Sequence, residues 1–369
     1  MKNAFDRQKM TYFPLSGREN KVAIQEASID PHSYTGNISF ALQEKASIIA
    51  RQILEANKRH ASVICAFGAH TIKNGAGRLL GMMAEKGWIT HLATNGAGVI
   101  HDWEFAFQGA SSEDVRINVA RGMFGTWEET GLYINLALAV GSYEGLGYGS
   151  SIGSFIRSGG LEIPSREGLL SLLENGEEGL TLSERSSAAD LLELLTYLDI
   201  PSGFLSVSHP YAEYSAQCIA FSQGIPFTSH PMFGHDIIYT HKANRGAIVG
   251  RTAERDFLSF VDSVSNLEGG VYLSIGSAVM SPMIFEKALS MARNVSIPKG
   301  NPITNCQINV VDLQQESWDW SKGEPPLDNP AYYLRFMKTF NRMGCPVSYT
   351  CADNRDFLVS LYNELEKRS

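Results

Sequence analysis

The chain has 369 residues, 44% hydrophobic and 19% charged, the make-up of an ordinary globular protein with length for a sizeable core. Its 39 acids against 31 bases, net −8 without a basic cluster, argue against nucleic acid or an anionic membrane as partner. No apolar run could span a bilayer, the start is polar, and Cys65, Cys218, Cys306, Cys345 and Cys351 show neither CxxC nor zinc spacing, so reduced thiols and a cytoplasmic location are expected.

Residues 1–40 hold turn formers and little periodicity, an N-terminal arm packing on a single α/β domain over 41–369. Ala41 to His60 is an amphipathic helix with Ile48, Ile49, Ile53 and Leu54 as its apolar stripe. Ser62 to Phe67 reads as a strand running into the glycine-rich loop GAHTIKNGAG, Gly68 to Gly77, and then a helix. His91 to Thr94 is the next strand, opening into NGAGVIHDWE. Two successive strands thus carry glycine-rich loops at their carboxyl ends, the edge where open parallel sheets bind ligands. His101, Asp102 and Glu104 follow, placed to meet a polar or cationic ligand or to act as capping and first-turn residues. Glu113 to Leu138 and Leu169 to Leu198 read as helical, whereas Gly141 to Gly160 is so rich in Gly and Ser that a loop or hinge is expected.

A helix over about Tyr211 to Gln223 and a strand at Ile225 to Thr228 continue the alternation. His230 to His241 contains three histidines, but their spacing fits no helical metal site, so no metal is expected; Asp236 is a candidate acceptor for a ribose or an amine. Ala247 to Val249 reads as a short strand and Glu254 to Leu267 as a helix. The most informative stretch comes next. Val271 to Ile275 is a short buried strand ending in Gly276, Ser277 and Ala278, followed by a helix with Ser281 as cap and Pro282 in its first turn. Ile308 to Val311 is a second strand closed by Asp312. Strand, small-residue turn, helix, strand and terminal acid is the logic of a dinucleotide site: a helix start for pyrophosphate and a carboxylate for ribose. The order helix, strand, helix, strand predicts one doubly wound, mostly parallel α/β sheet of Rossmann-like type.

Beyond Asp312, Glu316 and Asp319 lie among Trp318 and Trp320, a composition that suits either an alkylammonium ligand or a surface loop stapled by tryptophans. Ala331 to Phe340 sets Arg335 and Lys338 in an aromatic segment, where a lysine in an apolar pocket would suit imine chemistry. Pro346 to Thr350 is a last strand and Arg355 to Leu365 a closing helix.

Together these pieces resemble the deoxyhypusine synthase family from about Ala41 onward. GAHTIKNGAG stands where that family has its first nucleotide loop, TNGAGVIHD is similar to its TTAGGVEED, and GIPFTSHPMFGHDIIYTH to its segment ending GDMIFFH. GVYLSIGSAVM resembles IILGGGVV, INVVD stands at INTAQ, FMK at WGK, and PVSYTCAD at PVKVYAD. The resemblance implies NAD held near Thr71, Asn74, Asn95, Gly96, Ala97, Asp236, Gly276, Ala278 and Asp353 beside the Asp312 already noted. It implies Lys338 as the imine-forming lysine, Phe336 in place of a stacking Trp, and Glu316 and Asp319 on the side of a small amine or polyamine, which Asp102, read above from its position, is expected to meet as well. It also implies a homo-oligomer, a tetramer. Pro282 stands at the family's histidine, Tyr332 at its glutamate, and Ile100 and His101 near its acidic pair. The expectation is therefore NAD-dependent amine oxidation with transfer of an alkylamine to an amine acceptor rather than deoxyhypusine synthesis itself. The alternative is an inactive nucleotide-binding sensor or structural protein of the same fold.

Overall fold

Six short strands form one sheet: β1 (Val63–Phe67), β2 (His91–Thr94), β3 (Phe227–Ser229), β4 (Val271–Ile275), β5 (Gln307–Asp312) and β6 (Val347–Cys351). The computed structural model describes residues 5–175, 181–316 and 318–369. Every neighbouring pair is parallel, in the order β6-β5-β4-β1-β2-β3. Successive strands thus build outward one way from β1, and the chain then crosses back to build the other way from β4. This is the doubly wound order, with a topological switch between β1 and β4. Alternate residues explain why both faces are covered. Val63, Cys65 and Phe67 of β1 enter one core, while Ile64 and Ala66 enter the other with Tyr272 and Ile308.

On the first face lie α1 (Phe40–Lys58), α2 (Ala69–Lys73), α3 (Gly77–Glu85) and α4 (Gly96–Gln108). They are followed by the short α5 (Val115–Ala120), α6 (Glu128–Tyr143), α7 (Tyr148–Ser158), α8 (Leu182–Leu198) and α9 (Ala216–Ser222). The second face carries α10 (Gly246–Ser265), α11 (Met280–Ser296) and α12 (Arg335–Asn341), whereas the closing α13 (Asn354–Glu366) returns to pack on α1. Among the described residues no helix is long and apolar enough to cross a membrane.

Several local expectations are corrected. Gly141 to Gly160 is not a loop: it holds the end of α6 and all of α7. Its small residues serve close packing, because a Cβ on Gly149 would lie 2.0 Å from the Phe227 carbonyl oxygen and one on Gly153 2.7 Å from that of Gln217. Ala247 to Val249 is helical, the first turn of α10, with Ile248 and Val249 on its buried side. Ser281 does not cap α11; its own amide is held by the Ser277 hydroxyl at 3.1 Å. The helical reading of Leu169 to Leu198 covers residues 176–180, which lie outside the described residues.

The predicted arm is bound to the body at several points. Val22–Ala23 pairs antiparallel with Ala110–Ser111, and the Arg7 guanidinium donates to the Tyr239 and His241 carbonyls.

Candidate functional site

The carboxyl ends of all six strands share one edge, and two different surfaces form along it. At the switch point the backbone is closed. A Cβ on Gly68 would lie 2.1 Å from the Gly276 carbonyl oxygen, so only glycine allows the β1 and β4 turns to meet. Gly276 itself has φ +56°, the left-handed region, and Asn354 stands against it. The Asn354 amide then donates to the Thr71 hydroxyl at 3.1 Å. Thr71 is fully buried and Asn74 half-buried at the end of α2, so this part of the edge is a wall built from α2, the β4 turn and α13.

Toward β5 the edge opens. Ala278 is exposed and Val279 is 60% exposed at the start of the 17-residue α11. Asp312, half-buried at the end of β5, accepts the Gln314 amide through one oxygen at 3.2 Å. Asp353 is engaged otherwise: it caps α13 and takes the Arg355 side chain at 3.0 Å, and that hydrogen bond holds its carboxyl below the usual range.

Over β1, β2 and β3 lies a crevice of about 770 Å³. Its walls come from α2 (Ala69, His70, Lys73), α4 (Ala97, His101), the α5 segment (Arg116, Phe124), the loop after β3 (His235, Asp236) and the arm (Arg18, Lys21). Asp236 is the group that stands out chemically. It is 8% exposed, and its Oδ2 would lie 1.9 Å from a Cβ on Gly96, at the first turn of α4. Asn95 caps that turn by accepting the Gly98 amide at 2.9 Å. Among the described residues Oδ2 has no hydrogen-bond partner, and burial pushes the Asp236 carboxyl up to about 7. The hydroxyls of Tyr148, Tyr239 and Ser229 are likewise buried and unpartnered, and the Asp236 charge acts on both tyrosines. A buried carboxyl raised toward neutrality, with two unpartnered tyrosine hydroxyls within reach of its charge, can accept or donate a proton.

The remaining charges set the sign of the crevice. Arg18 is paired with Glu104 and Lys21 with Asp114, whereas Lys73 and Arg116 have no ion-pair partner among the described residues. Two acids of the lining, Glu113 and Asp236, have no ion pair among the described residues either, but both are buried, so the accessible uncompensated charges are those of Lys73 and Arg116, which suits an anionic ligand.

Other expected site residues lie elsewhere. Asp102 does not face the crevice: its carboxylate is fully buried and accepts from the Ser215 hydroxyl, the Ala216 amide and the Gln217 side chain at 2.5, 2.9 and 2.9 Å, fixing the start of α9. Glu316 accepts from the Trp318 amide and Trp320 Nε1, and Asp319 caps a single turn at Trp320, so both hold a tryptophan loop in shape. Phe336 is buried core. Lys338 lies in a separate hollow of about 370 Å³ with Tyr332, Tyr333, Arg335, Thr339 and Arg342. Its Nζ sits 3.4 Å from the Tyr332 ring centroid and 3.6 Å from Glu324, engaged on the flank of the sheet and not beside the glycine turns. The histidines also part company, His230 to Thr228 and His241 to Glu128, and no metal-binding group of three side chains occurs among the described residues.

Arg18, Lys73, Arg116 and the partners of His101 were not legible as site residues. They come from four separate segments that only the fold unites.

No family model matches the chain, and no curated protein matches it. Solved structures do. One is a conserved LOR/SDH protein from Methanococcus maripaludis, 14% identical over 88% of this chain and 70% of its own, with a TM-score of 0.45. Another is unliganded AgrE, 13% identical over 91% of this chain and 34% of its own, also at 0.45. A third is ArgZ, an arginine dihydrolase of the ornithine–ammonia cycle in cyanobacteria, 11% identical over 89% and 33%, at 0.40. This chain therefore spans about a third of the AgrE and ArgZ chains. These neighbours are not deoxyhypusine synthases, which corrects the family expected from the motifs and, with the position of Lys338, the expected polyamine chemistry. At such identities and scores the likenesses extend no activity to this chain.

Proposed function

We propose that this protein binds an NAD-type dinucleotide along the carboxyl edge of its sheet and acts on a small anionic molecule in the crevice over β1 to β3, with Asp236 handling a proton. Two features support the nucleotide half. The strand order has its switch point between β1 and β4, the region where doubly wound sheets hold dinucleotides; the turns are closed against each other there, and the open edge lies on the β5 side. Beside it the Gly276 to Val279 turn leads openly into a long helix, and Asp312 ends the next strand. That turn fits a pyrophosphate at a helix start, and Asp312 fits ribose hydroxyls. NAD, when bound, would supply hydride exchange.

The observation that carries the reading is Asp236: enclosed, unpartnered at Oδ2, and raised to about 7 by burial. In its neutral form it donates a hydrogen bond to a substrate oxygen; in its charged form it takes a proton away. Lys73 and Arg116 would draw in the anion.

Calorimetric titration with NAD+ and ADP-ribose tests this. Both should bind, and Asp312→Ala should weaken ADP-ribose at least tenfold while Asp236→Asn leaves it unchanged. Binding at one hundred times Kd would also add about 2.7 kcal/mol of stability, visible as a raised melting temperature. Absence of heat and of thermal shift at millimolar NAD+, NADP+ and ADP-ribose would refute the nucleotide reading.

A further inference from the structure

We propose that His101 is a second proton acceptor in the crevice, taking a proton through Nε2 from a hydroxyl or amine of the anionic substrate, and that Ser111 and Glu104 are positioning residues that fix its tautomer. The inference deepens the reading of the crevice as a substrate site and rests on it.

The chain of hydrogen bonds leaves one assignment. Arg18 grips Glu104 with both terminal nitrogens, at 2.8 and 2.6 Å, and Thr130 donates to the same carboxylate at 2.9 Å. Burial alone would raise the Glu104 carboxyl, but the charge and hydrogen bonds of Arg18 outweigh it and hold the group ionised. An ionised carboxylate has no hydrogen to give. The Ser111 hydroxyl, 2.5 Å from Glu104 Oε2, must therefore donate to it. With its one hydrogen so placed, Ser111 can only accept from His101 Nδ1 at 2.7 Å. Nδ1 then carries the ring hydrogen, and Nε2 is left with a lone pair on a residue that lines the crevice.

Helical spacing prepares this geometry. His101 and Glu104 are three residues apart on α4 and share a face, and Ser111 reaches both from the short ladder that Ala110–Ser111 forms with Val22–Ala23.

Burial holds the free imidazole uncharged, pushing it down to about 4; Glu104 opposes this, while Lys73 and His70 of α2 and Arg18 of the arm reinforce it. An anion settling on Lys73 would cancel part of that neighbouring positive charge and make Nε2 more basic when a substrate is present. In the step itself the substrate O–H or N–H bond breaks and an Nε2–H bond forms. The positive charge gained by the ring is steadied through Nδ1–H, Ser111 and the Glu104 carboxylate. No electrons change hands.

Two-bond proton–nitrogen spectra of protein labelled with nitrogen-15 histidine test this without any turnover, with His101→Asn identifying the signal. The expected result is an Nδ1–H tautomer from pH 8 to below pH 6, turning into a mixture in Ser111→Ala and restored in Ser111→Thr. Inorganic pyrophosphate, used as the anionic probe, should raise the titration midpoint of His101. Carbethoxylation at pH 6 should mark His101, with pyrophosphate slowing it at least fivefold. An Nε2–H tautomer in the native protein, an unchanged Ser111→Ala spectrum, or a His101 inert to the reagent would overturn the proposal. NAD+ failing to bind while these results hold would defeat the cofactor reading and leave His101 assigned.

Discussion

Replacing Arg18 with alanine removes the positive half of a pair whose side chains are only 2% and 1% exposed. The loss strands a carboxylate that cannot reach water, and breaking a buried pair from one side costs about 3–5 kcal/mol. Thr130 and Ser111 still donate to Glu104, so the lower end, about 3 kcal/mol, is the expected value. The pH dependence gives the effect a signature. In the native protein the Glu104 carboxyl is held below its usual range, so its contribution is present above the unfolded pKa and fades as pH falls through the folded value. Without Arg18, burial dominates and the folded pKa rises. The penalty of Arg18→Ala should be greatest near pH 8 and shrink toward pH 5 as the carboxyl takes up a proton. Urea unfolding at both pH values measures this, with the double variant Arg18→Met/Glu104→Leu as control. The double variant should cost less than the single one, because no charge remains uncompensated. An Arg18→Ala loss under about 1 kcal/mol, or one that grows on acidification, would refute the account of the pair.

Three further outcomes follow from named groups. Asp102→Ala should destabilise the protein by about 3 kcal/mol or more in chemical denaturation, because buried donors on α9 lose their acceptor, while nucleotide affinity stays as it was. Asp236 has a folded pKa near 7, above its unfolded value, so the folded state binds the extra proton and stability falls as pH rises from about 4 to 7. Asp236→Asn should flatten that slope, though only in part because burial raises Asp256 to about 7 as well; an unaltered slope in pH-dependent unfolding would count against the assignment. Gly276→Ala should cost about 1–2 kcal/mol from the left-handed backbone alone, plus the clash with Asn354. Gly276→Ala/Asn354→Ala should recover the clash and not the backbone cost, as melting temperatures would show.

The sheet was readable because its strands are short β-rich runs ended by small residues. His91–Thr94 and Val271–Ile275 coincide with the expected strands, and the others differ by a residue or two at their ends. Composition misled where one residue type serves two purposes. Gly149 and Gly153 look like loop formers, yet they lie one helical turn apart and let α7 touch neighbouring backbone. The β-branched pair at Ile248 and Val249 reads as a strand, but the surrounding twenty residues are helical and bury both on one side. At the site, Asp236 and the Gly96 turn could be picked out because each follows a strand. Asp102 could not be told from its neighbours His101 and Glu104: which way each of them points depends on α9, the ladder at Ser111 and Arg18, all distant in sequence. The motif likeness failed for a similar reason, since short glycine-rich turns at strand ends answer to the geometry of parallel sheets in general.

The meeting of Gly68, Gly276 and Asn354 has a consequence for how the molecule comes into being. The first loop after β1 leans on a turn made some two hundred residues later, and that turn is propped by a side chain made later still. A chain emerging from a ribosome could assemble β1 to β3 early, yet the floor beside them would stay unfinished until α13 arrived. Binding competence should therefore appear abruptly once α13 has been made, with no form lacking it able to hold a ligand.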